Sequence, residues 1–267
     1  MARPDRSPAE VLPPGVLAPE KAELEGFYER AYASAGEHGE RSGRWRALGA
    51  RGKADHVVEL CARAGVTPAS TLEIGCGDGA LLCELRRRGF GGRLEGLEIS
   101  SAALAIAAAR PEIDAVRLYD GSRIPARERA YELGILSHVL EHVPDPPALL
   151  AEAARACARV VVEVPLEANL SARRASRRAR SQSVGHLHRF DRTAARAIIA
   201  NAGLRRAGEI EDPLPLAVQL FFADRAGARL AARAKWGVRA ATHRLAPGLA
   251  RQLFTVHYAA LCLPPAG

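Results

Sequence analysis

Thr71-Leu72-Glu73-Ile74-Gly75-Cys76-Gly77-Asp78-Gly79-Ala80-Leu81-Leu82 is the stretch that decides how this chain folds. A short apolar run ends in three alternate glycines, and a helical pattern begins directly after them. Glycines at a strand-to-helix turn let the backbone take left-handed conformations and come close to a ligand, because no Cβ intervenes. The start of the next helix adds unpaired amides, so the turn reads as a nucleotide cradle. Gly75, Gly77 and Ala80 also satisfy the Gly-x-Gly-x-x-Gly/Ala pattern of dinucleotide-binding units. Glu73 is discordant with that pattern, because it puts a carboxylate where such a strand is usually apolar.

Working outward, Leu81 to Arg88 continues as a helix stopped at Gly89. Arg93 to Ile99 reads as a second strand ending in Glu98, with Ser100 or Ser101 capping the helix that runs to Arg110. An acidic side chain at that strand end can accept both hydroxyls of a ribose. Ala115 to Tyr119 is a third strand, followed by Asp120-Gly121-Ser122, where Asp-Gly is also a common turn pair. Tyr131 to Ser137 and the β-branched run Arg159 to Pro165 are the fourth and fifth strands. Leu204 to Glu211 and Leu253 to Leu263 are the last two. Strands alternating with helices predict an α/β fold whose ligands sit at the carboxyl edge of the sheet.

Glu73 to Gly79 resembles the first motif of class I S-adenosylmethionine (SAM) dependent methyltransferases. Ser137-His138-Val139-Leu140-Glu141-His142-Val143-Pro144-Asp145-Pro146 resembles the segment after strand four in the type-11/type-12 small-molecule branch, which includes the quinone-biosynthesis O-methyltransferases. The resemblance implies a three-layer, Rossmann-like, seven-stranded and mostly parallel sheet with an antiparallel last strand, helices on both faces and an N-terminal helical cap. It implies SAM as cofactor. Gly75, Cys76, Gly77 and Gly79 would wrap its amino-acid end, and Glu73 would order the loop and the ammonium. Glu98 and Ile99 would meet the ribose, Asp120, Gly121 and Ser122 the adenine, and Ser137 and His138 would lie beside the methyl-transfer line.

The 267 residues suffice for one large α/β domain with a cap, and 48% hydrophobic and 25% charged content is ordinary for a globular protein. The proline-dense residues 1–20 read as a disordered lead-in. Residues 21–65 read as the helical cap, with a second helix near Lys53 to Ala64 and Gly36, Gly39 and Gly43 breaking the segment before it. Tyr28, Tyr32 and Trp45 are candidates to line that cover. The methyltransferase domain then spans 66–267. Five scattered cysteines read as reduced core thiols of a cytoplasmic protein. No run approaches a membrane span, and Met1 to Arg6 has no signal-peptide core.

The formal charge of +8 suggests an anionic partner, although arginine-rich composition has blander sources. Two segments carry that charge. The loop 171–183 contains Arg173, Arg174, Arg177, Arg178 and Arg180, which read either as a solvated face or as a holder of phosphate or carboxylate. The insertion 213–250 carries an apolar stripe, Phe222, Ala226, Leu230, Ala234 and Val238, beside Arg225, Arg229 and Arg233. It reads as a lid or dimer contact, with peripheral contact of 216–245 on an anionic membrane as the alternative. A monomer or homodimer is expected.

The acceptor reads as a small molecule, anionic or lipid-linked, methylated on oxygen rather than nitrogen or carbon, in secondary-metabolite, glycan or lipid biosynthesis. A hydroxyl acceptor must lose a proton, which a histidine of near-neutral pKa suits. His138 is the first choice and His186, in the stretch Gly185 to Asp191, the second. A Glu141-His142 pair can bind a divalent ion, and some quinone enzymes of the resembled branch use one. Hard-cation sites usually gather several oxygens, however, so no metal is assigned. A Rossmann-type NAD-dependent oxidoreductase explains Glu98 and the glycines but not Glu73, Asp120 or the Ser137 to Pro146 motif. A non-catalytic SAM- or RNA-binding protein fits the charge, but no RNA module is appended and no nucleic-acid partner is expected.

Overall fold

The structure is a computed structural model, and it describes residues 21–33, 36–173 and 185–264. The proline-rich lead-in 1–20 lies outside these residues, as do Arg174, Arg177, Arg178 and Arg180 of the basic loop. Seven strands form one sheet: β1 (Ser70–Ile74), β2 (Arg93–Glu98), β3 (Ala115–Leu118), β4 (Leu133–Ser137), β5 (Val160–Leu166), β6 (Arg205–Pro213) and β7 (Val256–Leu263). Their spatial order is β3-β2-β1-β4-β5-β7-β6, parallel from β3 to β5, with β7 antiparallel to both its neighbours. The order reverses between β1 and β4, where open α/β sheets form a ligand crevice.

The helices are α1 (Lys21–Tyr32), α2 (Gly36–Arg63), α3 (Ala80–Arg87), α4 (Ser101–Ala108), α5 (Pro146–Ala156), α6 (Arg192–Asn201), α7 (Leu216–Leu220), α8 (Ala226–Leu245) and α9 (Pro247–Leu253). Ser100, Asp145 and Asp191 cap α4, α5 and α6, each accepting a backbone N–H three residues on. Period-two alternation divides the strands between two cores. Leu72, Ile74, Leu136, Val160, Val162, Val164 and Tyr258 pack with α5 and α6. Leu133, Ile135, Val161, Ala259 and Leu261 pack with α2 and α3. The same alternation carries Glu73, Ser137, Glu163 and His257 onto the α2 side.

Two expectations need correction. Gly39 and Gly43 do not break the cap, because α2 runs unbroken from Gly36 to Arg63; the two helices part before Gly36. A helical glycine costs about 1 kcal/mol relative to alanine. Here Ala50, Ala54, Val57, Leu60 and Cys61 bury the downstream half, and a helix so anchored propagates through weak positions. On α8 the apolar stripe faces outward, against the lid reading but not the dimer or membrane ones: Leu230 is 69% and Val238 60% exposed. The half-buried side is Ala232, Trp236, Arg239, Ala240 and His243. Trp236 buries more area than a leucine, and His243 Nε2 lies 3.0 Å from the Glu211 carbonyl oxygen, so that side docks instead. No helix among the described residues is long and apolar enough to cross a membrane, and the five cysteines are buried free thiols.

Candidate active site

The turn after β1 is built from backbone strain that only glycine relieves. Gly75, Gly77 and Gly79 have φ of 74°, 55° and 73°. A Cβ on Gly77 would lie 2.4 Å from Tyr32 Oη, and one on Gly75 2.8 Å from Val139 Cγ2. Cys76 is buried behind the turn. The carboxylate of Glu98 spans the loop from β2: Oε2 accepts from Gly77 N at 2.7 Å, and Oε1 from Ile99 N at 2.8 Å and Ser100 N at 3.0 Å. Burial raises its pKa against the lowering pull of these three amides. Glu73 is buried, and its Oε2 has no hydrogen bond. Burial pushes Glu73 up to about 8, opposed by the Lys53 charge.

These residues line one cavity of about 1100 Å³ together with Ile99, Asp120, Gly121, Ser122, Ser137, His138 and His186. All the sequence-derived cofactor and catalytic candidates thus fall around it except Gly79, which forms the end of the loop behind it. Asp120 Oδ1 accepts from Ser122 N, Ser122 Oγ and Arg123 N at 2.8–2.9 Å, the turn role that Asp-Gly suggests. The cap closes over the cavity. Tyr28 and Tyr32 line it, and their phenols are held well above the usual range by burial. Trp45 lines it too, 6.4 Å from the Phe222 ring. Two latches were not foreseen. Arg46 stacks over Tyr32 at 4.7 Å and donates to Asp78 Oδ2 at 2.7 Å. Glu29 accepts from Ser100 Oγ at 2.9 Å and Ala102 N at 3.1 Å, tying α1 to α4.

The other end of the cavity is dense in imidazole and carboxylate. His138 sits in a left-handed backbone conformation, φ 59°, rare for a residue with a Cβ. Its Nδ1 faces Glu141 Oε1 at 3.1 Å and its Nε2 faces Glu163 Oε1 at 3.4 Å. Burial and Lys53 oppose its charge, but the two carboxylates prevail and raise its pKa. His186 differs: Nδ1 lies 2.8 Å from Glu167 Oε2, and among the described residues no carboxylate forms a second ion pair with it. His142 Nδ1 is 3.1 Å from Gly185 O, and burial pushes it down to about 4. His188 Nε2 is 2.9 Å from Val143 O, which pins the 185–190 stretch to the motif after β4.

His257, Glu163, His56 and Asp212 complete this end, and none was anticipated. His56 is pushed up to about 10 by Asp212 and Glu163 despite burial, while burial and the His138 charge bring His257 down to about 4. Glu163 was visible in principle, since a carboxylate inside Val160-Val161-Val162-Glu163-Val164 is the same intrusion that marked Glu73. Among the described residues, two groups have ligand atoms close enough to share a metal ion: His138, Glu163 and His257, and Glu141, His142 and His186.

Residues 45–206 match the family model described as a methyltransferase domain. The ubiquinone biosynthesis O-methyltransferase of Sodalis glossinidius is 31% identical over 112 residues, 40% of this chain and 42% of the relative. That of Pseudomonas aeruginosa strain UCBPP-PA14 is 32% identical over 105 residues, covering 37% of this chain and again 42% of the relative. The matched region thus spans less than half the length of these curated relatives. Geranyl diphosphate C-methyltransferase from Streptomyces coelicolor shares the fold at TM-score 0.52 and 18% identity, over 73% of this chain and 72% of the other. With the glycine turn, the acid after β2 and the sheet order in place, this match over most of the chain means that the protein belongs to the methyltransferase-domain family.

Proposed function

We propose that the chain binds SAM at the glycine turn and transfers its methyl group to a hydroxyl of a small molecule. The observation that carries this reading is Glu73, a buried carboxylate with an unpartnered oxygen at the wall of a cavity lined by the left-handed glycines Gly75 and Gly77. A buried carboxylate without a partner is costly, and a ligand ammonium offsets that cost. Glu98, already oriented by three amides, offers its remaining acceptor capacity to ribose hydroxyls. An NAD reading has no use for Glu73.

Bound SAM would supply an electrophilic methyl group on a good leaving group. The residues of the chain then have three tasks. Tyr28, Tyr32 and α2 exclude water from above the cavity. The cavity walls hold the acceptor in line, an alignment able to supply most of the rate. A base takes the hydroxyl proton. His138 faces carboxylates with both ring nitrogens, so its role is that of a held cation or ligand. His186 has the better geometry for the base, because Glu167 orients Nδ1 and leaves Nε2 to accept.

Oxygen as the methylated atom draws support from the names of the curated relatives. An anionic or lipid-linked acceptor at an anionic surface draws support from Leu230, Val238 and Leu245, exposed on α8 beside Arg229 and Arg233. Cytoplasmic placement belongs to the same reading. Equilibrium titration with S-adenosylhomocysteine and, separately, NAD tests the core of it: the first should bind stoichiometrically and the second not. Binding of NAD alone would reverse the assignment.

A further inference from the structure

Methyl transfer leaves one constellation unexplained, where α2, β4, β5 and β7 converge. Glu163 is fully buried; its Oε2 accepts the Ser137 hydroxyl at 3.2 Å, and its Oε1 has no hydrogen bond. Three imidazole nitrogens surround Oε1: His138 Nε2 at 3.4 Å, His56 Nδ1 at 3.5 Å and His257 Nδ1 at 3.5 Å. Such separations exceed ordinary hydrogen-bond lengths. They do match the edge of a coordination shell. One ion bonded at about 2.0–2.2 Å to imidazole nitrogen and carboxylate oxygen keeps tetrahedral ligand atoms roughly 3.3–3.5 Å apart.

Two of the three outer nitrogens are already arranged as metal-binding imidazoles require. His138 Nδ1 faces Glu141 Oε1 at 3.1 Å, and His56 Nε2 faces Asp212 Oδ1 at 3.1 Å. A carboxylate behind an imidazole fixes its tautomer and strengthens it as a ligand. His138 and His257 line the cavity and Glu163 lies beneath them, so an ion there would have its protein ligands on the sheet side and an open side toward the acceptor.

The geometry points to a divalent transition-metal site formed by His138 Nε2, Glu163 Oε1 and His257 Nδ1, with His56 as a nearby fourth nitrogen. Two imidazoles and one carboxylate suit a first-row ion such as zinc, iron(II) or manganese(II). The ligand for its open side is a hydroxyl or phenol oxygen, which loses its proton more readily when coordinated. The second group, Glu141, His142 and His186, lies nearby and serves as the comparison.

The test is a titration of the chelator-stripped full chain with Co²⁺, followed by ligand-field absorption. It needs neither cofactor nor acceptor, so its result is independent of the methyl-transfer reading. One equivalent should bind. His257→Asn and Glu163→Gln should each weaken binding at least tenfold, while His142→Asn and His186→Asn should stay within twofold. Circular dichroism checks folding; if Glu163→Gln does not fold, His257→Asn, at a cavity-lining position, carries the comparison. Absence of Co²⁺ binding by the parent overturns the site outright. Undiminished binding in folded His257→Asn, or loss in His142→Asn, overturns the ligand assignment.

Discussion

Two ends of one sheet edge are built from different materials. At β1 and β2 the cavity wall is mostly backbone: left-handed glycines and amide hydrogens, with the carboxylate of Glu98 gathering them and that of Glu73 beside them. At β5 and β7 it is side chain: imidazoles and carboxylates from α2, β4, β5, β6 and β7, packed within a few ångströms. A backbone-built wall depends on local sequence and accepts few substitutions. A side-chain wall depends on the register of distant strands, such as Asp212 opposite His257 and Pro165 opposite His257. Such a wall can be rewritten residue by residue, as the acceptor site proposed there must be.

If the cofactor end is backbone-built, one methyl group in the wrong place should break it. Gly77→Val puts a branched side chain at φ 55°, with its Cβ 2.4 Å from Tyr32 Oη. Holding such a conformation costs on the order of 1–3 kcal/mol, and the clash displaces the cap. S-adenosylhomocysteine binding should fall below detection in a calorimetric titration while the far-ultraviolet circular dichroism stays native. Parental affinity would reduce the loop to an ordinary turn.

At the side-chain end the largest effect should be kinetic. His186→Asn removes the proposed base and should lower turnover by about a hundredfold, once an acceptor is found, with cofactor affinity nearly unchanged. A drop of only a few-fold would mean that alignment alone drives the reaction. Glu98→Ala comes next. It deprives three amides of their acceptor as well as the ribose, and a charged acceptor is worth about 1.5–3 kcal/mol, roughly ten- to a hundredfold in cofactor dissociation constant.

Glu73 provides the pH-dependent test. Its folded pKa, about 8, lies above the ordinary carboxylate value, so the folded state binds the extra proton. That contribution to stability is complete below the unfolded pKa and is lost as pH rises through about 8. The cofactor-free parent should therefore melt progressively lower from about pH 5 to 8.5, by a few kcal/mol at most, and Glu73→Gln should flatten that slope. Identical slopes would show that Glu73 is ionised without a ligand.

The two ends also differ in how far the sequence discloses them. The glycine turn and Glu98 rest on local features: strands, turns and helices that follow one another in the chain. Glu163 carried the same signal as Glu73, a carboxylate in an apolar strand, but its partners His56 and His257 come from opposite ends of the chain. The β5–β7 register brings His257 beside Glu163, and the packing of α2 on the sheet brings His56. Periodicity found both stripes of α8 but not the one that docks, because docking is settled by Trp236 and by a carbonyl on β6. The histidine pairings turn on a left-handed φ at His138 that no residue type announces.

The smallest effect on the cofactor is expected farthest from it. Arg225, Arg229 and Arg233 lie in or beside α8, whose exposed Leu230, Val238 and Leu245 turn away from the cavity. Replacing the three arginines with glutamine removes three charges and leaves the apolar stripe, so S-adenosylhomocysteine affinity should stay within twofold. Vesicle binding should change instead. A basic residue near an anionic bilayer contributes about 1 kcal/mol. The parent should therefore cosediment with phosphatidylserine-containing vesicles, lose that binding at high salt, and lose most of it in the triple variant. Parent and variant both staying in solution would exclude the membrane reading and leave a second copy of the chain as the occupant of the stripe, a result that sedimentation equilibrium would then show as a dimer.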